Sequence, residues 1–308
     1  MKAQSILVAL LICTATYAQT GQINPEAKIF KRTTMIEKER PELNEETKAL
    51  ISAYRRNPSQ ENYDALKAQV QENYDRVIER KVQKLSELKK EGARSETIEQ
   101  MEGIVAEVIA DRDHRVAQTM LRFTDRRMGP GSRTPREGFL PLIGGGEKVW
   151  VAYAPVTNEE YAKFDESHSF PAGHGKYPVT NVSHEDATAY CAWLSSKSDA
   201  LFRLPTEDEW ELAAGHMPKD ADFNCGENDS LTPVDQYAGT KGACGGIDFW
   251  GNSWEWISTD RGDGGKGVKG GSWDSHRMSC RTEYREEGRT PSMGYTNVGF
   301  RIIKEIAE

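Results

Sequence analysis

Tryptophan and glycine are distributed so unevenly that the chain must combine two regions of different structure. All seven tryptophans lie from Trp150 onward, and only three of the 27 glycines precede Gly129. Glycine-poor sequence rich in Glu, Lys, Arg, Gln and Ala favours helices, whereas Gly- and Asn-rich sequence favours turns and loops. We therefore expect a helical region, a linker over residues 126–138 and a loop-rich domain over residues 139–308.

The helical region is predicted over residues 44–125 as a hairpin or coiled coil of long helices. A first segment, residues 45–56, stops before Pro58, because proline disfavours helix in the residue that precedes it. Ser59 is then placed to cap a long helix with apolar residues at three-four spacing, and Gly92 ends that helix.

A further long helix is predicted to start at a capping box formed by Thr97 and Gln100, and to reach about Phe123. Two long helices joined by a short turn make an antiparallel hairpin. His114 lies among charged residues and is expected to be solvated. We expect the hairpin to pack on the second domain or to serve as a dimer or partner surface.

Residues 1–18 have the pattern of a cleaved secretory signal. Lys2 provides a basic start, residues 6–13 are apolar, and a small-x-small site ends at Ala18. The apolar run is too short to cross a bilayer, so we expect export to the periplasm or the medium without stable membrane insertion. A single membrane anchor and a lipoprotein are the alternatives. Residues 19–43 are expected to be extended or disordered.

Export implies an oxidising compartment, in which the cysteines of the second domain can form disulfides. Four cysteines allow three pairings, and the sequence does not choose among them. We expect Cys225 and Cys244 to pair, because both lie in Gly-rich irregular sequence. Cys191 is expected to be a buried thiol on a helix face.

Two capping boxes predict the helices of the second domain, Ser183 with Asp186 and Thr206 with Glu209. The segment VGFRII, residues 298–303, is predicted to be the final strand. Two helices and a Gly- and Trp-rich tail of irregular strands indicate an α+β fold with a large share of loop. Loops of that length require buried tryptophan, a disulfide or a metal to hold them.

Six phrases of the second domain resemble those of one known family in order and spacing. They are APVTNEEYAKF (residues 154–164), YPVTNVSHEDATAYCAWL (177–194), FRLPTEDEWELAAG (202–215), DFWGNSWEW (248–256), KGGSWDSHRMSCR (269–281) and NVGFRII (297–303). Over residues 139–304 the chain resembles the sulfatase-modifying-factor, or formylglycine-generating-enzyme-like, family. The resemblance implies a C-type-lectin-like fold of low regular secondary structure.

The family's active enzymes use oxygen to oxidise a cysteine of an unfolded sulfatase to formylglycine, with copper bound by two cysteines. The resemblance places that copper loop at residues 270–280 and the second copper cysteine at Cys280. Ser275 stands where the first should be, and a serine hydroxyl cannot replace a thiolate for copper(I). Copper is therefore not expected unless another thiol approaches Cys280. The candidate catalytic residues are Ser272, Ser275, His276, Arg277 and Cys280.

The resemblance also implies structural calcium, which prefers hard oxygen ligands. For the site at the DFWGNSWEW segment, the implied ligands are the carboxylates and carbonyls of Asp248, Gly251, Ser253 and Glu255. The alternative for Glu255 is a salt bridge beneath Trp254 and Trp256. A second site would use the side chain of Asn224 and the carbonyl of Cys225, although the stretch that carries its other ligands is shorter in this chain.

Other branches of the family carry nonheme iron on a histidine triad. The second domain offers five histidines, and none of them forms an HxxxH or a His-carboxylate spacing typical of such a site. The sequence therefore permits an iron site as an alternative but does not favour one. The histidines are His168, His174, His184, His216 and His276.

Three functions from different classes follow. The first is an exported, noncatalytic binding or scaffold protein, stabilised by calcium, with a protein or peptide partner and self-association through the hairpin. The second is an oxygen-dependent oxidase of a protein cysteine or sulfur substrate that uses Cys280, and the third is a nonheme iron enzyme. The formal net charge of −8 argues against a nucleic-acid partner bound through charge alone.

Overall fold

The computed structural model of the protein describes residues 43–125, 127, 134–218, 220–226, 228–262, 264–285 and 288–306. The expected signal peptide, nearly all of the segment 19–43 and most of the linker lie outside these residues. Four helices make up the N-terminal region: α1, Glu45–Arg56; α2, Gln60–Lys90; α3, Ser95–Ala110; and α4, Arg112–Thr124. Within the described residues, no helix combines the length and apolar composition that a membrane span requires.

The start of α2 agrees with the sequence, but the start of α3 does not. Ser59 Oγ accepts a hydrogen bond of 3.2 Å from the backbone N–H of Asn62 and caps α2 as predicted. The capping box predicted at Thr97 and Gln100 is wrong, because both residues lie inside α3, which follows Arg94 without a side-chain cap. Packing of α3 on the end of α2, through Leu88, Met101 and Val105, replaces the missing cap as the stabilising contact.

The long second helix of the predicted hairpin is interrupted at Asp111, where α3 ends and α4 begins. The carboxylate of Asp111 accepts a 2.9 Å hydrogen bond from Arg285 of the second domain. On the far side of the interruption, α4 packs with α1 and α2 around a small apolar core. That core consists of Ile51, Leu66, Val70, Val116 and Met120.

The second domain is an α+β structure with short elements and long loops, as the sequence indicates. Its helices are α5, Asn158–Tyr161; α6, His184–Ser195; and α7, Glu207–Ala214. Its strands are β1, Phe139–Pro141; β2, Val149–Ala152; β3, Ala200–Arg203; β4, Trp254–Asp260; β5, Lys266–Lys269; β6, Val298–Gly299; and β7, Ile303–Ile306.

The strands form two small sheets. The first is antiparallel with the order β1-β2-β7-β3, and Trp150 is in register with Lys304. The second has the order β5-β4-β6, in which β4 runs antiparallel to β5 and parallel to β6. In this sheet Glu255 pairs with Lys269 on one side and Gly299 on the other. The centre of the second sheet therefore lies next to the loop that follows Lys269.

Both capping boxes of the second domain are present. In α6 the Ser183 hydroxyl accepts from the N–H of Asp186 at 3.0 Å, and the Asp186 carboxylate accepts from the N–H of Ser183. Thr206 and Glu209 form the same reciprocal pair at the start of α7. These local bonds place the apolar faces of α6 and α7 against the two sheets.

The predicted final strand, residues 298–303, is divided between the two sheets. Its first two residues belong to β6 and its last residue begins β7. Between them, the carbonyl of Phe300 accepts a 2.9 Å bond from the N–H of Val156. The Arg301 side chain turns into the interior, where it is fully buried. At this interruption the buried guanidinium reaches the several acceptors that it requires.

Two hydrophobic cores hold the loops in place. One contains Trp254 and Trp256 with the aromatic face of α6, and the other contains Trp210 and Trp250 with Cys280. All four indoles are at most 4% exposed. Burial of a large aromatic side chain is worth several kcal/mol, on the order of 3–5 on truncation to alanine, so these rings compensate for the scarcity of regular structure.

Buried charges attach the helical region to the second domain, which confirms the packing expected for it. Glu211 of α7 is fully buried and accepts from Lys269 at 2.9 Å. Its other oxygen lies 3.1 Å from the Arg115 guanidinium of α4 and accepts from Gln118 at 3.0 Å. Burial alone would raise the pKa of Glu211, but Lys269 and Arg115 hold that pKa below its usual value. His114, expected to be solvated, is half-buried and lies 3.4 Å from Glu211.

The chain that follows Cys280 also contacts the helices. Arg281 donates to Glu107 of α3 at 2.9 Å. Glu283 lies 2.8 Å from one ring nitrogen of His216, whose other ring nitrogen lies 2.9 Å from the Tyr74 hydroxyl of α2. The helical region thus lies directly beside the loop of residues 270–280.

Candidate functional site

The loop of residues 270–280 follows β5 and ends in a short 3-10 turn, Arg277–Cys280. It begins with Gly270 and Gly271, whose φ angles of 99° and 77° lie in the left-handed region that glycine adopts easily. A Cβ atom on Gly271 would overlap the Sγ of Cys280. The two glycines therefore let the loop close tightly over the Cys280 thiol.

Ser272 and Ser275 form a closed pair of hydroxyls inside the loop. Their Oγ atoms lie 2.7 Å apart, and the Ser275 Oγ accepts from the backbone N–H of Ser272 at 3.0 Å. Ser272 is fully buried and donates its proton to Asp274 at 2.5 Å. The Ser275 hydroxyl must then donate to Ser272, so this side chain holds the turn together.

Two sulfur atoms meet beneath the turn. Cys280 is fully buried, and its Sγ lies 3.9 Å from the Sγ of the half-buried Cys225. The Cys225 thiol also donates to the carbonyl of Ser275 at 3.1 Å. Burial raises the pKa of Cys280 well above its usual value, and the adjacent Cys225 thiol adds to that shift. The sequence indicated neither this contact nor the orientation of the Cys225 side chain.

The structure does not contain the predicted disulfide between Cys225 and Cys244, and the Cys225 Sγ lies instead 3.9 Å from the Sγ of Cys280. The reason is the attachment of the two loops. The backbone beside Cys225 is bound to the 270–280 loop, with the N–H of Gly226 donating to Trp273 O at 2.6 Å. The backbone N–H of Cys244 donates instead to Ala213 of α7 at 3.0 Å. Cys191 is a buried thiol on α6, as expected.

The donor set at the two positions implied for copper does not fit that metal. Ser275 offers a neutral hydroxyl that is already bonded to Ser272, and Cys280 offers one thiol. Copper(I) prefers soft sulfur ligands. The second sulfur near Cys280 belongs to Cys225, which comes from a different loop.

His276 and Arg277 brace the loop from its outer side. The Nδ1 of His276 accepts from the backbone N–H of Met278 at 3.2 Å and caps the 3-10 turn. Arg277 donates to the carbonyl of Ala221 at 2.8 Å, and its guanidinium lies 4.4 Å from the centre of the Phe223 ring. His276 thus stabilises the turn itself, and Arg277 fastens the loop to the segment that contains Ala221.

The resemblance implied Glu255 as a calcium ligand, with a salt bridge as the alternative. In the structure Glu255 forms an ion pair with Arg301. The carboxylate is fully buried, and Arg301 donates to both of its oxygens at 2.6 Å. The indole N–H of Trp210 donates to the same carboxylate at 2.6 Å. Arg301 also donates to the backbone carbonyls of Ile247 and Asp248. The arginine therefore has the several acceptors that a buried guanidinium requires.

Asp248 and Asn224, implied for separate calcium sites, belong to one polar network. Asn252 joins them, because its amide nitrogen donates to Asp248 at 2.8 Å and its amide oxygen accepts from Asn224 at 3.1 Å. Burial raises the pKa of Asp248 to about 8. Among the described residues, the buried Ser253 hydroxyl has no hydrogen-bond partner, and Gly251 lies so close to Asn224 O that a Cβ atom would overlap it. Asn252 was missed, although the GN pair of GNSWEW marks it.

The five histidines considered for iron have separate partners. His168 lies 2.9 Å from Asn158, His174 stacks on Tyr177, and His184 meets the ring of Trp256. Within the described part of the chain, one group of three His, Cys or carboxylate ligand atoms was found. It contains none of the five histidines and consists of His114, Asp208 and Glu211. Arg115 and Lys269 already neutralise Glu211, so this group serves the contact between the helical region and the second domain.

Comparison with protein families gives one match over most of the chain. The family described as the sulfatase-modifying factor enzyme 1-like domain matches residues 67–306. The match begins inside α2 and so extends further toward the N terminus than the resemblance over residues 139–304.

Curated relatives are similar in sequence to part of this chain. It is 31% identical over 172 residues to "Inactive C-alpha-formylglycine-generating enzyme 2" of Mus musculus, covering 42% of this chain and 52% of that protein. It is 30% identical over 185 residues to "Formylglycine-generating enzyme" of Streptomyces coelicolor, covering 43% of this chain and 54% of that protein. The chain spans about half the length of these curated relatives.

Among solved structures, PvdO from Pseudomonas aeruginosa covers 51% of this chain and 80% of its own, with 19% identity and a TM-score of 0.43. The family match itself includes both sheets, α7 and the whole loop of residues 270–280. Since it also spans well over half of the sequence, the chain belongs to the sulfatase-modifying factor enzyme 1-like domain family.

Proposed function

We propose that this protein is a noncatalytic member of its family that acts outside the cytoplasm as a binding or scaffold protein. The observation that carries the proposal is the hydrogen bonding of the Ser275 hydroxyl. Its hydroxyl lies 2.7 Å from the Ser272 hydroxyl, at the position implied for a copper-binding thiolate. A hydroxyl in a closed hydrogen-bonded turn can neither bind copper(I) tightly nor form a disulfide with a substrate cysteine.

The names of the two relatives are consistent with this proposal but do not decide it. One relative is called inactive and the other is named as the enzyme, at 31% and 30% identity. Overall identity therefore does not separate the two activities. The deciding difference lies in single side chains of the loop, which is why Ser275 carries the argument.

The proposal is tested by offering the full chain the substrates of the usual reaction. Purified protein is incubated with copper(I), oxygen and a sulfatase-derived peptide containing the target cysteine, and an active formylglycine-generating enzyme serves as the positive control. We expect mass spectrometry to find the peptide unchanged. Conversion of its cysteine to the aldehyde would contradict the noncatalytic proposal.

The second candidate is an oxygen-dependent oxidase of a protein cysteine or sulfur substrate. It is favoured by the 3.9 Å separation of the Cys225 and Cys280 sulfurs, because copper(I) accepts two thiolates. Copper held there would supply the reactivity toward oxygen. In the same assay, this candidate predicts turnover that Cys225→Ser and Cys280→Ser each abolish, whereas Cys191→Ala retains it.

We also propose that calcium stabilises the domain through Asp248 and the carbonyls of Gly251 and Ser253, while Glu255 stays with Arg301. The buried Asp248 carboxylate and the unbonded Ser253 hydroxyl support a cation there. With calcium at about 100 times its Kd, stability should rise by about 2.7 kcal/mol, because the ion binds only the folded state.

Thermal unfolding with calcium or with a chelator measures this effect. Asp248→Asn should remove the difference, and Asp260→Asn, at a carboxylate whose side chain is 79% exposed, should retain it. Equal melting temperatures of the unaltered protein in the two buffers would exclude a stabilising calcium site.

The proposed partner is a protein or peptide, because irregular loops on a rigid core provide a broad recognition surface. We also propose that the protein self-associates through the solvent-facing side of the helical region. Sedimentation velocity of the full chain measures it, and a monomer at all concentrations would exclude it.

A further inference from the structure

Two thiols that lie 55 residues apart in the sequence are adjacent in the structure. Cys225 follows the buried Asn224, whereas Cys280 ends the 3-10 turn of the loop. Their sulfur atoms are 3.9 Å apart, and a disulfide requires about 2.05 Å. A movement of about 2 Å by one sulfur would therefore join them.

The surroundings show which sulfur can move. Cys280 is fully buried, with the Gly271 backbone against its Sγ and its thiol directed at the carbonyl of His276 at 3.6 Å. Cys225 is half-buried, so its side chain keeps access to solvent. The backbones are already tied together by the bond from Gly226 N–H to Trp273 O. Closure then needs a change of the Cys225 side chain with little movement of either loop.

We propose that Cys225 and Cys280 form an intramolecular disulfide by exchange with a low-molecular-weight disulfide. The proposal does not depend on the proposed function, since a structural crosslink is compatible with a noncatalytic domain. It also gives the pair a role that the family's copper loop does not provide, because Cys225 lies outside that loop.

The exchange proceeds in two steps. The accessible Cys225 loses its proton to solvent, and its thiolate attacks one sulfur of the external disulfide. That disulfide breaks, one thiolate leaves, and Cys225 is held in a mixed disulfide. Cys280 then loses its proton and attacks the Cys225 sulfur, which forms the Cys225–Cys280 bond and releases the second thiolate. The protein is oxidised by two electrons, and the external disulfide is reduced to two thiols.

The sequence provides a direct measurement, because trypsin cuts after Lys and Arg and places these cysteines in different peptides. Cys225 lies in residues 220–241, Cys280 in residues 278–281, Cys244 in residues 242–261 and Cys191 in residues 177–197. The full chain is reduced, freed of metal with a chelator, and equilibrated in glutathione buffers of increasing oxidised fraction. It is then alkylated under denaturing conditions without reductant and digested.

We expect oxidation to remove two alkylatable thiols and to produce one crosslinked peptide that joins residues 220–241 to residues 278–281. Cys225→Ser should abolish this crosslink, and Cys191→Ala, a change at a thiol outside the pair, should retain it. Because Cys225 is half-buried, its replacement should leave the fold intact, which circular dichroism verifies. The unaltered protein gives the deciding result by itself. Separate alkylation of both peptides in fully oxidised glutathione, or a crosslink of Cys225 to Cys244, would overturn the proposal.

Discussion

Replacement of Arg301 with methionine is expected to destabilise the protein by about 3–5 kcal/mol, the usual cost of breaking a buried ion pair. Arg301 is fully buried and bonds Glu255 at 2.6 Å through two nitrogens. Its removal leaves the Glu255 carboxylate buried with only the Trp210 indole as a donor. Two backbone carbonyls lose their partner as well. Equilibrium unfolding in urea measures the change.

Lys304→Met is the matched control, since it removes a cation three residues further along the same chain segment as Arg301. Lys304 pairs at 3.4 Å with Glu137, whose side chain is 85% exposed, and such surface pairs contribute about 0–1 kcal/mol. If Arg301→Met cost no more than Lys304→Met, the interior would not depend on this ion pair.

Replacement of Glu211 with glutamine is expected to cost about 3–5 kcal/mol and to loosen the helical region from the second domain. The carboxylate neutralises Lys269, which is fully buried, and Arg115, which is 4% exposed. Glutamine keeps the size of the side chain but removes its charge, so two buried cations lose their main counter-ion. Hydrogen exchange should therefore increase in α4 as well as in α7.

The control for Glu211→Gln is Asp208→Asn, one turn earlier on the same helix. The Asp208 side chain is 67% exposed and its contact is with His114 at 3.3 Å. We expect this change to be nearly neutral in urea unfolding and in exchange. Exchange that rises in α7 but not in α4 would show that Glu211 does not hold the helices in place.

Local hydrogen bonds made much of the fold predictable. The boxes at Ser183 and Thr206 satisfy backbone N–H groups within one turn, so their residues are close in sequence as well as in space. The same pattern at Thr97 failed, because contacts with α2 extend α3 past the box to Ser95. A local pattern is thus reliable where no tertiary contact competes with it.

The candidate site was less predictable, because its contacts join distant loops. The sequence and the family resemblance together indicated Ser272, Ser275 and Cys280. They did not reveal Asn252, whose bonds reach Asn224 across 28 residues. Irregular loops have no helical or strand period, so nothing in the sequence shows which of them meet.

By itself, the sequence determined the two-region organisation, the helix caps at Ser59, Ser183 and Thr206 and the absence of a thiol at residue 275, since these depend on composition and neighbouring residues. Only the tertiary structure decided that Cys225 faces Cys280, that Glu255 pairs with Arg301 and that Glu211 bridges Lys269 and α4. The two thiols are 55 residues apart in the sequence, Glu255 and Arg301 are 46 apart, and Glu211 and Lys269 are 58 apart. These contacts form because burial forces each thiol or charge to find a partner wherever the packed loops bring one within reach.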